Sequence, residues 1–108
     1  AIIGPASDTG LGSRDAFREM ARALHGAAEL YVFVGSDGDC AAKVLIDRGV
    51  PRNAVRFFRG MREANDALPS LLQAGDLVLL KGRSSIHLSR LFHAQLGPVA
   101  CFKNHCSI

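Results

Sequence analysis

The chain has 108 residues, of which 48% are hydrophobic and 6% aromatic, with a formal net charge of +3. That length suits one domain that buries its core without disulfides or metal, and no apolar run is long enough to span a bilayer as a helix. Acidic and basic residues are interleaved, there is no Lys/Arg block and aromatics are few, so neither nucleic acid nor membrane is an expected partner.

The predicted elements alternate. Residues 1–4 form an apolar run that stops at Pro5. Residues 13–27 are helical, with Phe17, Met20, Ala21 and Leu24 at helical spacing and Ser13 as the expected N-cap. A strand follows at 30–34, closed by Gly35. The next helix covers 39–48, with Gly49 placed to end it and Pro51 just beyond. A short strand at 55–58 leads to a helix at 61–73, which Pro69 is expected to kink or split. Residues 77–80 read as a buried strand, 85–96 as a helix and 98–102 as a last strand.

This order predicts an α/β fold: a Rossmann-like, three-layer α/β/α domain with a mostly parallel sheet of five or so strands, one domain over residues 1–108. The strands are apolar runs, as expected where both faces are covered. In such sheets ligands bind beyond the carboxyl ends of the strands, where the strand order reverses.

Three loops face that end. The most informative is Lys81-Gly82-Arg83-Ser84-Ser85, which carries a strand into a helix N-terminus. Its backbone N–H groups, the helix dipole and two cations suit an anion, although capped βα turns with solvated cations look alike. The loop after the first strand holds Ser7, Asp8 and Thr9 between glycines. It has neither the Gly-x-Gly-x-x-Gly spacing of a dinucleotide site nor the Gly-Lys-Ser/Thr of a P-loop. An Asx-turn at Asp8 and a contact to a ribose hydroxyl or ammonium both remain open. The third loop, residues 35–39, has the composition of a turn followed by a helix cap.

No catalytic constellation is visible, and Glu19, Glu29 and Glu63 read as solvated charges. The three cysteines, Cys40, Cys101 and Cys106, are expected to be reduced. Cys101, His105 and Cys106 lack the close pairing of a metal motif, so no metal site is expected.

The run Gly75-Asp76-Leu77-Val78-Leu79-Leu80-Lys81-Gly82-Arg83-Ser84-Ser85 resembles the Gly-Asp-x-Val-Leu-Val-Lys-Gly-Ser-Arg signature of Mur ligases. It is similar to the form in the UDP-N-acetylmuramoyl-tripeptide:D-alanyl-D-alanine ligases and their relatives. The strand and loop at 3–10, the strand at 30–35 and the stretch from Phe57 to Ala64 are similar in order, so the resemblance covers roughly residues 1–96. Here Arg83-Ser84 reverses the usual Ser-Arg order, and the Cys/His-bearing tail points to a divergent branch.

The resemblance implies the C-terminal domain of an ATP-dependent amide ligase acting in cell-wall peptide synthesis or a related ligation. In that family a carboxylate becomes an acyl phosphate, and the C-terminal domain closes over it to present the amine. Lys81, Gly82, Arg83, Ser84 and Ser85 would face an amino-acid or dipeptide substrate, and Ser7, Asp8 and Thr9 the nucleotide. ATP and Mg would be bound mainly by a central domain, none by this chain alone. The implied partners are the N-terminal and central ligase domains, in the cytoplasm. A start inside a strand without Met fits an excised piece of such a protein. The alternative is a free-standing Rossmann-like module that binds an anion or nucleotide without catalysis.

Overall fold

The computed structural model describes residues 1–4, 12–73 and 75–81. Four strands, β1 (Ile2–Ile3), β2 (Tyr31–Val34), β3 (Val55–Phe58) and β4 (Leu80–Lys81), alternate with helices α1 (Ser13–Leu24), α2 (Gly38–Asp47) and α3 (Met61–Leu71). The strands form one sheet in the order β3-β2-β1-β4, and all pairs are parallel. The expected α/β fold with a parallel sheet is therefore present, with four strands among the described residues rather than five. The expected helix at 85–96 and strand at 98–102 lie outside those residues.

Residue alternation along the strands sorts the core into two layers. Ile3, Tyr31, Phe33 and Val55 pack against Phe17 and Ala21 of α1 and Ala41, Ala42 and Leu45 of α2. Ile2, Val32 and Val34 turn the other way, onto Met61, Ala64 and Leu68 of α3. The chain steps from β1 to β2 to β3 with α1 and α2 on one face. It then crosses back beneath the sheet through α3 and emerges beside β1 as β4. Reversing direction while keeping one crossover hand places the third helix on the opposite face.

Local chemistry explains most boundaries. At the end of α2, the Gly49 N–H donates to the Ile46 carbonyl at 3.0 Å and the Val50 N–H to that of Leu45 at 3.0 Å. This is the paired reverse turn that needs a left-handed residue, and Gly49 supplies it at φ 98°. At the start of α2, Gly38 lets the helix approach the sheet: a Cβ there would lie 3.1 Å from the Phe33 Cβ and 3.3 Å from the Phe57 Cβ.

Three expectations need correction. Ser13 is the first residue of α1, and Gly12 is the cap, its carbonyl accepting from the Ala16 N–H at 2.9 Å. Pro69 sits inside α3 without ending or splitting it. It lies in the last turn, where the one N–H it removes costs the helix a single bond before the chain leaves anyway. The buried strand expected at 77–80 is a strand only at Leu80–Lys81, with the Leu79 carbonyl making the first bond to β1, and the side chains of Leu77, Val78 and Leu79 are exposed. An apolar run promises burial only if a layer covers it, and the helix expected to do so lies outside the described residues.

Candidate functional site

The reversal of strand order falls between β1 and β4. Ile2 pairs with Leu80 and Ile3 with Lys81. The Ile2 N–H donates to the Leu79 carbonyl and the Gly4 N–H to the Lys81 carbonyl, each at 2.7 Å. The two strands thus end side by side, and the two loops singled out in the sequence start from adjacent, hydrogen-bonded residues. This is the position at which doubly wound sheets take ligands. Lys81 is exposed and, being in register with Ile3, lies on the sheet face that α1 covers. Of the other candidates, Ser7, Asp8, Thr9, Gly82, Arg83, Ser84 and Ser85 lie outside the described residues.

The approach to β4 is shaped by Asp76. Its carboxylate accepts from the Gln73 N–H at 2.8 Å, and its own N–H donates to the Gln73 carbonyl at 3.1 Å. Both bonds close the turn that brings the chain off α3, so the Gly-Asp of the signature builds the turn and the lysine is left at the strand end.

Residues 1–84 match the family described as Mur ligase, glutamate ligase domain. The chain belongs to the Mur ligase family, as its C-terminal domain. The match runs from β1 through Lys81 and stops at Ser84, the first of the loop's two serines. No curated protein matches the chain.

This Mur ligase domain carries a second cation at the carboxyl rim that sequence reading missed. The Arg14 Nε, in the first turn of α1, donates to the Cys40 Sγ at 3.4 Å, across from the first turn of α2. That hydrogen bond, with the nearby carboxylates of Asp37 and Asp39, holds the guanidinium protonated beyond its ordinary range. The contact joins residues 26 apart in sequence, so no local pattern announced it. Cys40 is a buried free thiol. The third loop acts structurally: Asp37 precedes α2 without a side-chain cap, and the Gly38 N–H donates to the Gly35 carbonyl at 3.2 Å.

The opposite end of the strands has a different character. An open hollow of about 410 Å³ there is lined by His25, Glu29, Arg48 and Pro51 among others, well away from Lys81 along the strand direction. Among the described residues, no group of three or more His, Cys, Asp or Glu could hold a metal ion, and no helix is long and apolar enough to cross a membrane.

Proposed function

We infer that this domain is the acceptor-binding and closing part of an ATP-dependent amide-forming ligase. The observation that carries the reading is the pairing of Gly4 with Lys81, which starts both candidate loops at the strand switch of a Mur ligase domain. ATP and Mg, held mainly by a central domain, supply the activation of a carboxylate. The residues of this chain do the rest of the positioning. The Lys81 ammonium neutralises the carboxylate of an incoming amino acid or dipeptide, and Gly82, Arg83, Ser84 and Ser85 orient it through N–H, guanidinium and hydroxyl donors. Ser7, Asp8 and Thr9 face the nucleotide side. Holding the amine in line with its target converts an encounter into a near-unimolecular step, which is what a closing domain contributes. The setting is assembly of a cell-wall peptide precursor, or a related amino-acid ligation, in the cytoplasm.

Lys81→Ala in the full-length protein tests this. Losing a charge-assisted contact is expected to raise the acceptor KM or lower kcat by about tenfold. The melting temperature should not move, because the side chain is exposed. Steady-state assay of amide formation with amino-acid and dipeptide acceptors reads this out, and unchanged kinetics would remove Lys81 from the site. Anion binding that depends on Lys81, in a protein that forms no amide with any acceptor, is the outcome expected of a pure binding module.

A further inference from the structure

The interleaving of charge breaks down in one place. Between Asp47 and Glu63 the chain has five arginines and no acidic residue. The structure gathers this stretch around β3, the outermost strand on the side of the sheet away from β4. Arg52 lies in the single turn that leads into β3, Arg56 within the strand and Arg59 just after it, all exposed. The Arg56 Nη1 donates to the Arg52 backbone carbonyl at 3.5 Å, which brings the Arg56 guanidinium back over the turn that carries Arg52. Elsewhere Arg18, Arg22 and Lys43 form ion pairs on α1 and α2. Among the described residues Arg52, Arg56 and Arg59 meet no carboxylate.

The backbone of β3 is open on its outer side. The Phe58 carbonyl accepts from the Gly35 N–H at 2.8 Å, so Phe58 and, by alternation, Arg56 turn their polar groups toward β2. The N–H and C=O of Phe57 therefore point outward, with no strand beside them among the described residues. The Phe57 side chain is 51% exposed, a large apolar group left at the edge. Arg56 and Phe57 fall on opposite faces of the sheet, since Arg56 is in register with Val32 and Phe57 with Phe33.

We propose that the β3 edge is a docking site for an extended peptide segment in which acidic and apolar residues alternate. A strand added at this edge pairs its backbone with Phe57. It presents one row of side chains to Arg56 and Arg52 and the other row to Phe57, because residues directly opposite each other share a face. Arginine suits the acidic row, since its planar fork takes a carboxylate with two parallel bonds. A single charge would suffice to discourage edge pairing. Arg52, Arg56 and Arg59, which meet no carboxylate among the described residues, beside a half-exposed phenylalanine instead specify what pairs. The site is on the far side of the sheet from Lys81 and owes nothing to the acceptor reading.

Fluorescence anisotropy with a labelled peptide of alternating Glu and Val tests the proposal, with the Lys–Val counterpart and a labelled oligo(dT) as competitors for the role. The Glu–Val peptide is expected to bind, to weaken as salt rises, and to slow hydrogen exchange of the Phe57 amide. Arg52→Glu with Arg56→Glu should weaken it by at least about tenfold. If that double variant does not fold, Arg56→Gln carries the same test with a smaller loss. Absence of binding, equal binding of the Lys–Val peptide, an unprotected Phe57 amide or indifference to the arginine changes would each overturn the proposal. So would preferential binding of oligo(dT), which would make the edge a reader of phosphate.

Discussion

On one side of β1 the sheet continues through β2 to β3, and the β2–β3 ladder holds four register pairs. On the other side β1 meets β4 through two pairs, Ile2 with Leu80 and Ile3 with Lys81. All four residues of β2 are buried, and its aromatic rings anchor a continuous layer beneath α1 and α2. The residues leading into β4 are exposed, Leu77 almost completely at 99%. The flank that carries packing and the flank that carries Lys81 are thus different parts of one sheet. Ligand-binding segments come from regions held by few buried contacts, because closing around a substrate requires a backbone that can adjust at low cost. Among the described residues the β2–β3 flank is the more heavily packed, and the site proposed at Lys81 lies on the other one.

The largest effect should come from the centre of the strong flank. Phe33 is fully buried, edge-on to Phe17 at 6.3 Å between ring centroids and stacked on Tyr31 at 6.5 Å. Phe33→Ala removes a ring from both contacts and leaves a cavity between sheet and helices. Urea unfolding should show a loss of about 3–5 kcal/mol. A loss near zero would mean that β2 is not the anchor, and the contrast between flanks would disappear.

A smaller loss is expected where the same flank is tied at its entrance. The Tyr31 hydroxyl donates to the Leu24 carbonyl at 2.8 Å and accepts from the Gly26 N–H at 2.9 Å and the Ala28 N–H at 3.3 Å. One buried phenol thus closes the turn between α1 and β2. Tyr31→Phe keeps the ring and removes all three bonds, and thermal unfolding should register about 1–2 kcal/mol. A value within error of the parent would show that water takes over those groups and that the ring alone does the anchoring.

What sequence alone could reach follows the same division. The strands at 30–34 and 55–58 were legible because a short apolar run bounded by turn residues has few other uses. The end of α2 was legible because Gly49 followed by Pro51 is local chemistry. Lys81 was read as the first residue of the loop after a strand at 77–80, and the structure places it one step earlier, as the last residue of β4. The exposure of Leu77, Val78 and Leu79 was not legible, since hydrophobicity reports what a residue prefers and not what packs against it. Nor was Pro69 in α3, where tertiary packing through Leu68 and Ala64 outweighs a local breaker. The Arg14–Cys40 contact and the arginines around β3 required the fold itself, which brings separate helices together and leaves one strand at the edge.

On the light flank the effects shrink. Asp76→Ala removes the carboxylate that accepts from the Gln73 N–H at 2.8 Å, an exposed bond at the exit from α3. Denaturant unfolding should show about 0.5–1 kcal/mol, while Lys81-dependent kinetics should change only as far as the turn relaxes. A large loss of activity with unchanged stability would move Asp76 from turn-building into the ligand site itself.

The smallest effect should fall one residue further on. Leu77 is an apolar side chain that folding leaves in water, so trimming it forfeits no burial and opens no cavity. Leu77→Ala should therefore keep the unfolding free energy within about 0.5 kcal/mol of the parent. Leu80, three residues on, packs against the α3 layer, and Leu80→Ala in the same experiment supplies the contrast. If Leu77→Ala costs as much as Leu80→Ala, a layer covers both residues in solution. The β4 flank would then be as firmly held as the β2 flank, and Lys81 would stand on a fixed strand instead of an adjustable one.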